Sequence, residues 1–200
     1  MVTKIEVKGL EALIMHSGVN GLATKSEWSA EIAAIAAKKG KNKTEADIAR
    51  LAELECQRSL WLDKDGRPSI PPGAFRASIE AAARKNKQGP QVREGMIVTR
   101  VHPLVFDEER YGTTLEEWGR TTQFSVPVVV QRARLMRTRA MFEDWSISFE
   151  VERDEDLIDL QQLASWIQVA GRRIGVGDWR PQKSGHYGRF ELVSIDDLAS

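Results

Sequence analysis

The sequence has little of the chemistry that most readily identifies a function. Cys56 is the one cysteine among 200 residues, so an internal disulfide framework and a cysteine-based zinc site are both excluded. The three histidines, His16, His102 and His186, lie far apart without ligand-like spacing, so we predict no metal site and no cofactor. There is no secretion signal and no apolar run near the ~18 residues of a membrane helix. We therefore expect a soluble, intracellular protein with no membrane partner.

Net charge is also absent. The chain carries 29 Lys and Arg against 29 Asp and Glu, so no global electrostatic signature points to nucleic acid. The first hundred residues are nevertheless basic, with 17 cations against 12 acids. Any nucleic-acid site must therefore be a local patch. No P-loop or nucleophile elbow is present, and the glycines after residue 170 follow a helix pattern where a Rossmann loop follows a strand.

What the sequence does have is a glycine-rich loop, GRRIGVGDWRPQKSGHYGRF, at residues 171–190. Glycines allow positive φ and close backbone approach, while the neighbouring cations and aromatic rings suit phosphates and bases. We predict that backbone amides of this loop also face phosphates. The alternative is a long turn with a tryptophan tucked beneath it. The predicted nucleic-acid contacts of the loop are Arg172, Arg173, Gly175, Gly177, Trp179, Arg180, Lys183, His186, Tyr187 and Arg189.

A second group of cations lies on a strand pattern at residues 124–140, which begins β-prone and becomes rich in arginine. Pro127 indicates an edge position or a strand start. The four arginines fit a solvated strand face and a stripe that follows phosphates equally well. As candidate nucleic-acid contacts they are Arg132, Arg134, Arg137 and Arg139.

The order of elements predicts an α+β fold, ferredoxin-like (split βαβ, RRM-like), with an antiparallel sheet. Asp154 or Asp156 should cap the second core helix, and Gly171 should end it. We treat residues 1–200 as a single domain with a helical insertion at 22–68 and a strand and loop insertion at 92–122. The core elements in order are strand 3–16, helix 72–86, the hairpin 126–139/144–153, helix 157–170 and strand 189–195.

The loop glycines Gly175, Gly177, Gly185 and Gly188, with Arg189, resemble the repeat-associated (RAMP) superfamily, which includes CRISPR backbone and processing subunits. The stretch SIPPGAFRASIEAAAR before the first core helix resembles it as well. This resemblance implies a ferredoxin-like core and, for backbone subunits, helical assembly on single-stranded RNA. Processing members use a histidine near a glycine-rich loop.

A second resemblance spans most of the chain. The pieces LIMHSG, IPPGAF, ARLMRTRAMFEDW and GRRIGVGDWRPQKSGHYGRFEL, with the Lys-rich linker before TEAD, are similar to small proteins of tailed bacteriophages and prophages. This resemblance implies a phage protein acting in the host cytoplasm, and it implies no mechanism.

Three functions compete at this point. The main hypothesis is a phage-encoded protein that binds single-stranded RNA or DNA and self-assembles as a homo-oligomer. The alternative is a phage structural or protein-interaction protein, in which the loop's Trp and Arg anchor an interface. The third is a metal-independent ribonuclease using His16 and His186 as general acid and base. We predict no catalytic residues, since the full constellation for cleavage is missing.

Overall fold

The computed structural model describes residues 1–17, 27–38, 42–130 and 133–198. It contains 43% helix and 27% strand with antiparallel sheets, which confirms the α+β class. The elements in chain order are β1 (Val2–Gly9), β2 (Leu13–Ile14), α1 (Glu27–Ala37), α2 (Glu45–Ser59), α3 (Pro72–Ala83), α4 (Gly89–Gly95), β3 (Met96–Val101), α5 (Glu108–Tyr111), α6 (Leu115–Thr121), β4 (Gln123–Val130), β5 (Ala133–Phe142), β6 (Ser146–Arg153), α7 (Leu160–Val169) and β7 (Phe190–Asp197).

The chain divides into two compact units. The first, the sheet unit, comprises Met1–Ile14, Trp61–Phe106 and Phe142–Ser200. The second, the hairpin unit, comprises Met15–Leu60 and Asp107–Met141.

The sheet unit is built on four antiparallel strands in the order β3-β6-β1-β7. In β1 the buried residues Thr3, Ile5 and Val7 alternate with exposed charged ones, so one face of the strand is apolar. Strand β6 alternates in the same way, as its sequence predicts, with its apolar residues buried from Ile147 to Val151. A strand of this kind stays in register because a shift by one residue would expose its whole apolar set.

Helices α3 and α7 cover that apolar face. The ring of Phe75 on α3 stacks on Phe149 of β6 at 4.2 Å between centroids, and it meets Phe190 of β7 edge-on at 6.1 Å. Pro72 occupies the first turn of α3, where its missing N–H costs no hydrogen bond, as predicted. The opposite face of the sheet carries the polar side chains.

The hairpin unit contains β4 and β5, which pair in register from Gln123↔Ala140 to Val130↔Ala133. Thr44 caps α2 in a capping box with Asp47, as the sequence predicts. Helix α2 is joined to β5 by the Glu55 carboxylate, which accepts from the Thr138 amide at 2.9 Å. The sequence pattern also predicts a first helix that Ser26 caps and Gly40 ends, and both residues lie outside the described residues.

Three local predictions are wrong. The segment 126–139 does not pair with 144–153, because β5 pairs with β4 while β6 pairs with β1 and β3. Strand β3, which the sequence analysis places in the insertion 92–122, is instead the fourth strand of the sheet. Helix α7 begins at Leu160 behind the cap Asp159, which leaves the predicted caps upstream of the helix.

Candidate nucleic-acid interface

The glycine-rich loop begins where α7 widens into a π-helical turn, Ala170–Ile174. Gly171 lies inside this turn and does not end the helix, contrary to prediction, because the chain must approach β7 there. A Cβ at Gly171 would lie 2.0 Å from the carbonyl oxygen of Phe190. Gly175, with φ +75°, is the residue that ends the turn, and its carbonyl accepts from the Ser78 hydroxyl of α3 at 3.0 Å. The sequence offers no signal for the role of Ser78.

The loop then folds back on itself through backbone hydrogen bonds. The amide of Val176 donates to Gly188 at 2.9 Å, and the amide of Tyr187 donates to Trp179 at 3.2 Å. A Cβ at Gly188 would meet the Val176 carbonyl at 1.7 Å, and one at Gly185 would meet the Trp179 carbonyl at the same distance. These glycines therefore allow two segments of the loop backbone to pack against each other.

The loop amides are mostly used inside the chain, contrary to the prediction that they face phosphates. An amide that already donates to a carbonyl or carboxylate has no second proton for a ligand. Ligand contacts of the loop must therefore come mainly from side chains. The amides that donate within the chain are those of Gly175, Val176, Asp178, Trp179, Lys183, Ser184, Gly185, Tyr187 and Gly188.

The aromatic side chains of the loop lie together. Trp179 has φ +48°, a left-handed conformation that is unusual for a tryptophan, and its amide donates to Oδ1 of Asp178 at 3.0 Å. The rings of Trp179 and Tyr187 lie 6.3 Å apart at 37°, and His186 follows at 4.1 Å from Tyr187. Both larger rings are half-buried, and His186 is exposed. The Trp179 side chain is thus partly exposed at the surface of the loop.

The loop cations fall into two groups. Arg172, Arg173 and Lys183 are exposed, and within the described part of the chain none of the three makes a hydrogen bond or ion pair through its side chain. Arg180 is held inward by a 2.8 Å bond to the Gly177 carbonyl.

Arg189, the last cation of the loop, lies 3.9 Å from Glu11 at a partly exposed site, a weak pair. The turn Ala170–Ile174 contacts the turn Pro181–Lys183, so the exposed cations belong to neighbouring segments.

The arginines of the hairpin have a different setting. Arg137 forms an ion pair with Glu55 of α2, whose side chain is only 11% exposed. Arg139 is half-buried. Arg132 lies outside the described residues, and only the backbone is described for Arg134. A nucleic-acid role for the hairpin stays a prediction.

The three histidines are divided between the two compact units. His16 belongs to the hairpin unit, and His186 belongs to the sheet unit. His102 Nε2 lies 3.3 Å from Oε1 of Glu150, a contact between β6 and the segment after β3 that sequence spacing does not reveal. Over residues 1–17, 27–38, 42–130 and 133–198, no group of three potential metal ligands is present. None of the helices described there has the length and hydropathy to cross a bilayer.

The uncovered face of the four-stranded sheet is the other surface to consider, since single-strand binders commonly stack bases on exposed aromatics. In the described strands of this sheet no aromatic side chain points there, because Phe149 and Phe190 are both buried. Lys4 lies opposite Glu150 and Asp196, so its charge is offset by acids. This face therefore suits base stacking poorly, and the loop is the stronger candidate.

No protein-family model matches the chain, and no curated protein matches it significantly.

Proposed function

We propose that the chain binds single-stranded RNA or DNA through the glycine-rich loop and that copies assemble along the bound strand. One observation carries this proposal: Arg172, Arg173 and Lys183 are exposed with no carboxylate partner among the described residues, on a backbone that also presents the Trp179–Tyr187 pair. Unpaired cations attract phosphates, and half-exposed rings offer a flat surface to a base.

The hydrogen bonds within the loop support the same function. Trp179 is held in a left-handed conformation by the Asp178 carboxylate and by the bond to Tyr187. Such strain costs roughly 1–3 kcal/mol and persists only where the surroundings impose it. A ring fixed in advance loses little entropy when a base stacks on it.

Assembly along a strand reconciles binding with the zero net charge. A single neutral subunit gains little from a few phosphate contacts, whereas neighbours on one polymer add their contacts. We also propose that the sheet unit is a ferredoxin-like fold, supported by its strand order β3-β6-β1-β7 with α3 and α7 on one face. The phage setting rests on the resemblance of the sequence pieces alone.

The test is a fluorescence-anisotropy titration of labelled single-stranded RNA and DNA at about 50 and 200 mM salt, with sedimentation in parallel. We expect affinity to fall steeply with salt and larger assemblies to form on the strand. A folded protein that binds neither polymer contradicts the proposal.

A second candidate, a protein-interaction role for the same loop, is favoured by the half-buried Trp179 beside arginines, which are frequent interface anchors. The Trp179→Ala variant distinguishes base stacking from the protein-interaction role. Lost nucleic-acid binding with an unchanged melting temperature indicates base stacking. Unchanged nucleic-acid binding, with loss of a salt-insensitive protein partner, indicates the interaction role.

A further inference from the structure

A second cationic surface lies in the sheet unit outside the glycine-rich loop. It is formed by α3 from Arg76 onward, the 3-10 turn Arg84–Asn86 and α4. Between residue 76 and the end of α4 at residue 95 the chain has five Lys or Arg against two Glu, although the whole protein is neutral. We call this group the α3–α4 surface, and its cations are Arg76, Arg84, Lys85, Lys87 and Arg93.

Two of these arginines contact one carboxylate, and a third bonds to a neighbouring backbone carbonyl. Arg84 bonds Oε1 of Glu80, and Nη1 of Arg93 lies 3.5 Å from the same oxygen. Arg76 donates to the backbone carbonyl of Arg93 at 3.2 Å. Glu80 is 14% exposed in its side chain, whereas Arg84 and Arg93 are 61% and 54% exposed. A single carboxylate cannot neutralise the two guanidinium groups that contact it, so the cluster retains positive charge at the surface.

Two lysines extend this charge. Lys85 and Lys87 are exposed, and neither ammonium has a hydrogen-bond or ion-pair partner in the part of the chain that is described. Lys87 has φ +63° and its amide bonds to the Arg84 carbonyl, so the turn fixes the backbone of the lysine.

We infer that the α3–α4 surface is a second phosphate-contact site for the same single strand, an inference that rests on the proposed function of the loop. Helix α3 connects the two sites physically. Its Ser78 bonds to Gly175 of the loop at 3.0 Å, and Arg84 follows six residues later, roughly 9 Å along the helix axis. A strand longer than the loop itself can contact both groups of cations.

The site should recognise the backbone without reading sequence. Lysine ammonium groups and clustered guanidiniums contact phosphate oxygens, and the described residues of this surface include no aromatic side chain that reaches solvent for a base. Its contribution therefore depends on strand length and on salt, and base composition should have little effect on it.

The experiment compares Lys85→Gln plus Lys87→Gln with a matched control, Lys4→Gln plus Lys8→Gln. Both variants remove two exposed lysines from the sheet unit, but Lys4 and Lys8 lie on the uncovered sheet face among acids. Neither pair makes a described side-chain contact, so both variants should fold, which circular dichroism checks. Each is titrated with labelled strands of about 5 and about 20 nucleotides, bracketing the roughly 4–16 nucleotides one binding domain covers.

We expect the Lys85/Lys87 variant to bind the long strand roughly tenfold more weakly at about 0.1 M salt, with a salt slope smaller by about 1.4. Affinity for the short strand and the behaviour of the Lys4/Lys8 control should stay within about twofold of wild type. Equal affinities of both variants for the long strand overturn this inference, while wild-type binding that still depends on the loop leaves the proposed function standing. A wild-type protein that binds no strand overturns both.

Discussion

The glycine-rich loop and the hairpin of β4 and β5 both stand out in the sequence for their arginines, but the structure holds those arginines differently. In the loop, Arg172 and Arg173 are exposed with no described partner. In the hairpin, Arg137 pairs with a largely buried Glu55. The number of arginines in a segment therefore does not identify a binding site. What matters is whether a carboxylate of the same chain already satisfies the guanidinium.

The largest expected effect concerns the rigidity of the loop. Gly188→Ala places a Cβ 1.7 Å from the Val176 carbonyl at φ +63°, so we expect a loss of about 3 kcal/mol in the free energy of unfolding. The control is Gly66→Ala, which has φ +77° but nothing within 4 Å, and should cost roughly 1 kcal/mol. Urea denaturation measures both. Equal losses in the free energy of unfolding for the two variants would mean that the loop backbone adjusts to the added Cβ and is not preorganised.

Cys56 reports how firmly α2 is held beneath the hairpin. Burial raises the pKa of its thiol to about 11, from a usual value of 9.0. The folded protein should therefore hold about a hundredfold less thiolate at pH 8 than the unfolded chain, and react correspondingly slowly. Because the thiolate is disfavoured in the fold, the stability from this group is present below pH 9 and lost as pH rises toward 11. Labelling with a thiol reagent, with and without denaturant, checks this; rapid labelling of the native protein would show that α2 detaches.

Substitution of single arginines tests whether the hairpin arginine and the loop arginine differ in their contribution to stability. Arg137→Ala removes the ion pair of Glu55 and should lower the free energy of unfolding by about 1 kcal/mol. Arg172→Ala removes an exposed side chain with no described contact and should change it by less than about 0.5 kcal/mol. Thermal melts of the two variants provide the measurement. A larger loss for Arg172→Ala would mean that the loop arginine is structural.

The smallest effect concerns the start of α2. The bond from Lys38, followed by that from the Thr44 amide, lowers the pKa of Asp47 from 3.8 to about 2. Since the folded pKa is depressed, the stability from this carboxylate is present above pH 3.8 and lost as pH falls toward 2. Asp47→Asn should therefore flatten the acid side of the stability profile over that range. If the stability of the variant fell with acid in the same way as that of wild type, the Asp47 carboxylate would not stabilise the start of α2.

Much of the fold follows from sequence pattern. The alternation in β1 and β6, the capping box at Thr44 and the Pro72 helix start are all local signals, and each is found where predicted. The pairing of strands, in contrast, is not determined by local sequence. The strand 126–139 is as β-prone as β3, and only tertiary packing decides that β3 joins the four-stranded sheet.

The candidate site shows the same limit. The glycines correctly indicate close backbone approach, but the sequence does not say that the Val176 and Trp179 carbonyls are what they approach. Asp159, and not Asp154 or Asp156, caps α7, and the residue before it, Ile158, is buried in the core. Likewise, Glu55 lies 82 residues from Arg137, so no spacing rule predicts their pairing.

The loop arginines Arg172 and Arg173 should contribute more to strand binding than Arg137 and Arg139 of the hairpin, because Arg137 already pairs with Glu55. The most direct measurement compares salt-dependent anisotropy titrations of single-stranded RNA for Arg172→Ala plus Arg173→Ala and for Arg137→Gln plus Arg139→Gln. We expect roughly tenfold weaker binding and a salt slope smaller by about 1.4 for the loop variant, and a smaller loss for the hairpin variant. Wild-type affinity in the loop variant, with loss in a folded hairpin variant, would contradict this expectation.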